Sequence, residues 1–293
     1  AAIHAGLCST ALVLYGSTAA SNAMAIGTGG TDGSKNPDTA FSAPYGMTTV
    51  GSYAMYANLH MSKYGTSSEQ LAEIAVTMRR HAGLNPLAKM RTPITVNDVL
   101  ESRLISRPLH LLDCCIISDG GGAVVVTSLE RAKDLRTKPV HLLGCGEAVQ
   151  HQGVGDSDLL TIAAKQSGQA AMEMAGIKHS DVDFAMVYDS FTITVLATLE
   201  NLGFCEPGEG GDFVSNGGIG LGGPLPVNPD GGGLSSNHPG MRGIFLVIEA
   251  AKQLRGECGD RQVAGAEIAI AHGTGGTIGD KHSGATLVLG ADR

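Results

Sequence analysis

Residues 140–148 (VHLLGCGEA), 159–175 (LLTIAAKQSGQAAMEMA), 184–188 (FAMVY) and 191–202 (FTITVLATLENL) decide the fold class of this chain. They read in turn as strand, helix, strand and helix, an alternation that argues for an α/β layered domain. Working toward the N-terminus, 123–128 reads as an apolar strand entered through a tight Asp119-Gly120-Gly121-Gly122 turn, and 109–117 as strand-like. The continuous apolar run at 10–15 (TALVLY) suits a strand buried on both faces. Between these strands, apolar residues at 50–64 and 67–84 recur at three and four, as in Leu71, Ile74, Ala75 and Met78. This predicts two amphipathic helices, the second capped by Ser67 or Ser68, with a short helix at 96–102 to follow. Toward the C-terminus, glycine-rich loops between 208 and 233 lead to a helix at 241–255 and final strands at 267–272 and 284–290. Ala1 to Ala5 reads as the last turn of a helix closed by Gly6, with no N-cap of its own, so an upstream part is expected to be missing.

At 293 residues the chain is long enough for one large or two medium domains. Hydrophobic residues make up 43%, charged residues 16%, and glycine accounts for 42 positions, which describes a globular, loop-rich chain. The net charge of -8 arises without any basic stripe, which argues against nucleic acid as a partner. No run reaches the roughly 18 apolar residues that a membrane-spanning helix needs, and no signal sequence opens the chain. A soluble, cytoplasmic protein is the expectation. Cys8, Cys114, Cys115, Cys145, Cys205 and Cys258 show no CxxC spacing and read as reduced thiols, most of them small buried hydrophobes. The histidines show no metal-ligand spacing, and the glycine-rich stretches 27–33 and 217–223 match neither a P-loop nor a dinucleotide fingerprint.

Two segments concentrate the chemistry. Gly231-Gly232-Gly233-Leu234-Ser235-Ser236-Asn237-His238-Pro239-Gly240 sets a lone histidine between a glycine-rich loop and a helix start. His272-Gly273-Thr274-Gly275-Gly276 sets a second at a strand end. Histidine titrates nearest neutrality, so two of them at element ends suit acid-base work or the binding of an oxyanion. Open α/β sheets place ligands at such ends.

These two segments, with Tyr188-Asp189-Ser190-Phe191 and the loop at 202–211 (LGFCEPGEGG), resemble in order and interval the thiolase superfamily, in its sterol-carrier-protein-type branch. The likeness extends over the whole chain, including Leu111-Leu112-Asp113-Cys114-Cys115 and Ser118-Asp119-Gly120-Gly121-Gly122-Ala123. The resemblance implies an α/β thiolase fold: two similar layered αβα halves with an inserted loop domain. On that mapping 1–135 is the N-terminal half, incomplete at its beginning and carrying the insert at about 41–108, and 136–293 is the C-terminal half. The family's nucleophilic cysteine would fall before Ala1, and Cys8 maps beyond it. Three positions depart from the familiar pattern: Asn237 stands for the glycine before the histidine, Tyr188 for an asparagine, and His272 for a second cysteine.

What the resemblance implies chemically is an acyltransferase that makes or breaks the carbon-carbon bond of a 3-oxoacyl-CoA. It would need no tightly bound cofactor or metal and would use coenzyme A as cosubstrate. His238 would donate to the enolate oxygen, His272 would move the proton at carbon, and Gly275 and Gly276 would offer backbone N–H groups to a second oxyanion. Tyr188 is either a further donor or a core aromatic whose hydroxyl meets a backbone group, and Asp189 is expected to cap the following helix. A retro-aldolase on a β-hydroxyacyl thioester, relying on Tyr188, is the alternative. A third reading is a thiolase subunit that depends on a small OB-fold, zinc-ribbon partner, as in benzoylsuccinyl-CoA cleavage. The family also implies a homodimer and an acyl-CoA substrate.

Overall fold

A ribbon, a helical segment and a layered sheet follow one another along the chain. The computed structural model describes residues 1–23, 48–151, 158–278 and 281–291, so the stretch 27–33 and the loop leading to Tyr45 lie outside the described residues. Strand β1 (Thr10–Thr18) comes first, then helices α1 (Thr49–Tyr64), α2 (Ser68–Leu84) and α3 (Val96–Glu101). The short strands β2 (Leu104–Ser106) and β3 (Leu109–His110) precede β4 (Asp119–Thr127) and α4 (Leu129–Ala132). The alternating region then runs β5 (Val140–His151), α5 (Ala164–Ala175), β6 (Phe184–Val187), α6 (Thr192–Leu202), α7 (Gly210–Val214), α8 (Gly243–Leu254), β7 (Ile268–Gly276) and β8 (Lys281–Ala291).

The last four strands form one sheet in the order β5-β8-β7-β6, with β6 and β7 parallel and the other neighbours antiparallel. Strand alternation sends Ala185, Val187 and Ile270 to the face covered by α5 and α6, and Phe184, Met186, Ala269 and Ala271 to the face covered by α8. Helix α5 lies directly on β5, because a Cβ at Gly144 or Gly146 would run into the carbonyls of Ala171 and Ser167. On its other side α8 meets β4, where Gly122 faces Ile248 and Gly120 faces Phe245 and Pro239. A single helix is thus packed between the main sheet and the β1–β4 ribbon. This gives an α/β layered structure of the kind expected from the sequence.

Helices α1 and α2 form as the apolar spacing predicts. Ser67 is the cap of α2, in a reciprocal capping box with Gln70, and Leu71, Ile74, Ala75 and Met78 are all buried. Buried His60 on α1 ties this segment to the main domain: its Nε2 lies 3.0 Å from Glu200 Oε2 on α6, and its Nδ1 2.9 Å from Thr66 Oγ1. Glu200 Oε1 also accepts the N–H groups of Gly208 and Gly210, each at 3.0 Å.

Several local expectations need correction. Residues 119–122 are not a turn but the first residues of β4, paired with Thr18 to Tyr15, since glycine is what lets the strand approach α8. Strand β1 is not buried on both faces. One face turns to α8, and the other, with Leu12 and Leu14, is 61% and 67% exposed. The apolar run at 109–117 is a strand only at Leu109–His110 and then a turn and an extended connection. The helix expected from 159 begins at Ala164. Of the six free cysteines only Cys258 is buried, while Cys8 and Cys145 are exposed.

Candidate active site

Tyr188 follows the last residue of β6 and is held there by its own N–H, which donates to the carbonyl of His272 at 3.0 Å. Its hydroxyl lies 2.9 Å from Nε2 of His238, ring edge to ring face, with centroids 5.6 Å apart and planes at 88°. His238 is 3% exposed, and burial, aided by the nearby Arg242 cation, pushes its pKa down to about 4. Burial pushes the Tyr188 hydroxyl well above its ordinary value. Both side chains are therefore neutral near pH 7. The couple holds one imidazole N–H and one phenolic O–H, and one of these two hydrogens is spent between the rings. With Tyr188 as the donor, the other hydrogen is on Nδ1 of His238, which has no partner among the described residues. A neutral couple with one unspent donor is suited to meet an oxygen that gains negative charge.

The loop that delivers His238 is clamped from three directions. Its N–H donates to Ser118 Oγ at 2.9 Å, and the Tyr15 hydroxyl on β1 donates to the Pro239 carbonyl at 2.6 Å. From behind, the Asp189 carboxylate accepts the N–H groups of Gly233 at 2.7 Å and Leu234 at 3.1 Å. Asp189 is therefore not the cap of α6, which begins after Phe191 without any side-chain cap. Fully buried Arg242 holds Asp230 through both carboxylate oxygens, at 2.7 and 2.6 Å, and donates to the Asn237 carbonyl at 3.1 Å. Burial raises the Asp189 carboxyl to about 6 against the opposing pull of Arg242. Within this frame Gly232–Ser236 forms a single π-helical turn, entered through left-handed Gly231 at φ 98°.

His272 lies elsewhere. The sequence places it at a strand end, free to approach a substrate carbon, but β7 continues past it to Gly276 and the side chain is fully buried. It pairs in register with Val187, whose side chain enters the core under α5 and α6, whereas Tyr188 packs on the α8 side. Residues in register share a face, so the imidazole leaves the opposite face of the sheet from Tyr188. Its Nδ1 is 2.9 Å from Thr286 Oγ1, which is in turn 2.9 Å from Ser167 Oγ on α5. Burial, reinforced by His282, lowers its pKa to about 3, and burial lowers that of His282 to about 4. Gly275 and Gly276 also belong to the ladder, opposite Ser283 and His282 in β8. The structure thus brings Tyr188 and His238 together and leaves His272 out of their contact.

Sequence reading missed Ser118, Tyr15, Arg242 and Asp230. Arg242 and Asp230 flank the glycine-rich loop, and opposite charges on either side of a histidine motif are the one local signal that pointed to them. Burial pushes the Cys114 and Cys205 thiols up to about 12 and the Cys115 thiol higher still, so none of the three is a thiolate near neutrality.

The family model for the thiolase C-terminal domain matches residues 146–291. The chain is 39% identical over 245 residues to an acetyl-CoA acetyltransferase of Methanothermobacter thermautotrophicus, covering 83% of this chain and 64% of that protein. It is 38% identical over 263 residues to a steroid side-chain-cleaving aldolase of Thermomonospora curvata, covering 85% of this chain and again 64% of the relative. The chain therefore spans just under two thirds of the length of both relatives. Among solved structures, an Ltp2-ChsH2(DUF35) aldolase superposes with a TM-score of 0.87 at 35% identity, over the whole of this chain and 75% of that one. The layered α/β fold, the ordered motifs around Tyr188 and His238, and these likenesses agree: the chain belongs to the thiolase superfamily.

Proposed function

We propose that this chain acts on the bond between the α and β carbons of an acyl-CoA, with the Tyr188–His238 couple stabilising the enolate oxygen of the thioester. The observation that carries this is the 2.9 Å contact between two neutral groups, buried His238 and half-buried Tyr188, which leaves one donor hydrogen unspent. A single well-placed donor of this kind is worth about 3 kcal/mol in the transition state. Neutral imidazole serves better here than imidazolium, because it donates without giving up its proton.

In the first reading the chemistry is thiolase-type acyl transfer. The Cα–Cβ bond of a 3-oxoacyl-CoA breaks, its acyl part goes to the sulfur of coenzyme A, and the enolate left behind takes a proton at carbon. The likeness to an acetyl-CoA acetyltransferase supports it. The second reading is retro-aldol cleavage of a 3-hydroxyacyl-CoA, in which the β-hydroxyl loses its proton as the same bond breaks, releasing a carbonyl compound and an acyl-CoA. A tyrosine hydroxyl at the centre of the site favours it, as do the two aldolase relatives.

Turnover of a 3-oxoacyl-CoA with free coenzyme A, compared with turnover of a 3-hydroxyacyl-CoA without it, separates the readings. His238→Ala is expected to abolish whichever activity is present while the fold is kept, and unchanged turnover refutes the assignment. The relative solved as Ltp2-ChsH2(DUF35) supports assembly with a second, DUF35-type polypeptide. Homodimer formation and a cytoplasmic location belong to the same proposal. Among the described residues no helix is long and apolar enough to cross a membrane.

A further inference from the structure

Glycine-rich loops do not hold a side chain in place by themselves, since glycine restricts its own backbone least of all residues. The loop before His238 begins Gly231-Gly232-Gly233, with Gly231 and Gly232 both left-handed, at φ 98° and 66°. Its geometry is set from outside. The Asp189 carboxylate occupies the space that a Cβ on Gly232 would fill, and it accepts the next two amides, Gly233 at 2.7 Å and Leu234 at 3.1 Å. Arg242 Nε lies 3.4 Å from the same carboxylate, and the Arg242 guanidinium reaches the Asn237 carbonyl, one residue before His238. Tyr188, the other half of the couple, is Asp189's neighbour in the chain.

We propose that Asp189 is a positioning residue: by gripping the Gly233 and Leu234 amides beside Arg242, it fixes where the His238 imidazole meets the Tyr188 hydroxyl. This rests on the reading of that couple as the donor to a developing oxyanion. A fully buried carboxylate and guanidinium add little net stability over apolar groups of the same volume, and the best attested use of such pairs is to fix a register. Here the register is that of a loop whose histidine must sit within tenths of an ångström of its working place.

The test is Asp189→Asn in the full chain, which keeps the volume but puts an amide N–H₂ where one of the two backbone donors now finds an oxygen. The expected result is a fall in kcat of about 100-fold, with KM changed by less than about threefold, for a 3-oxoacyl-CoA with free coenzyme A or a 3-hydroxyacyl-CoA. The side-chain nitrogen shifts of His238, read by NMR without substrate, are expected to move in step. A lower unfolding midpoint with unmoved kcat and unmoved His238 shifts marks a merely structural residue and overturns the proposal. If His238→Ala leaves turnover unchanged, the functional reading fails instead, and the nitrogen shifts still decide whether Asp189 sets the contact. Should Asp189→Asn not fold, amide exchange in the unsubstituted chain decides. Gly233 and Leu234 amides as slow as those of β6 support the clamp, and exchange at the rate of an open loop sinks it.

Discussion

Tyr188 and His238, fifty positions apart in the chain, are joined through Oη and Nε2 at 2.9 Å, the tyrosine half-buried, the histidine buried, and both neutral near pH 7. The contact makes them one donor unit and not two, because the hydrogen between them is unavailable to a ligand.

Tyr188→Phe removes that hydrogen bond while keeping the ring. Turnover is expected to fall by about 100-fold, because the imidazole N–H that remains is no longer held on one ring nitrogen and in one orientation. Unfolding stability should drop by only about 1 kcal/mol. Steady-state kinetics and a urea melt on the same preparation check both numbers.

His272→Asn is expected to behave in the opposite way. Its imidazole is packed between β8 and α5 through Thr286 and Ser167, so the loss should appear as about 1–3 kcal/mol of stability. Catalysis per folded molecule should stay within about fivefold. Abolished turnover with an unchanged melting temperature would show that the ring acts on the substrate after all.

Acid should destabilise the fold well before most carboxylates protonate. His238, His272 and His282 titrate at about 4, 3 and 4 in the folded chain, against 6.5 when exposed. Below pH 6.5 the unfolded chain therefore binds more protons, and stability falls as pH drops toward 4, by up to about 1.4 kcal/mol per pH unit for each histidine. Asp189, raised to about 6, works the other way: it is protonated in the folded chain and ionised in the unfolded one between about pH 4 and 6, which offsets part of one histidine. Urea midpoints at pH 7.5, 6.0 and 5.0 should fall in that order. A flat profile would mean that the imidazoles are more hydrated than their burial implies.

Glu200→Gln weakens a carboxylate shared by His60 and by the amides of Gly208 and Gly210. A loss of about 1–3 kcal/mol is expected, together with faster proteolytic cleavage within 203–210. Limited proteolysis with mass measurement of the fragments reads this out.

The alternation of strands and helices from β5 to α6 was legible in the sequence, as were α1, α2 and the cap at Ser67. Run length, three-four spacing and capping residues are local properties, and they survive whatever the chain packs against. Two glycine-rich stretches misled for a physical reason. Glycines 120–122 read as a turn because glycine punctuates turns, yet here they make room for α8, a helix more than a hundred residues away. His272 read as the end of its strand for the same cause, while the β7–β8 ladder continues through Gly276.

The sequence alone determined the layered α/β class and the order of the motifs, since these rest on spacing along the chain, and the resemblance of those motifs pointed to the family. Only the tertiary structure decided which imidazole joins Tyr188, which face of the sheet His272 occupies and what the Asp189 carboxylate holds. A side chain's face changes with a single residue of register, and a clamp between residues 189, 230, 233 and 242 exists only after strand, loop and helix have packed together.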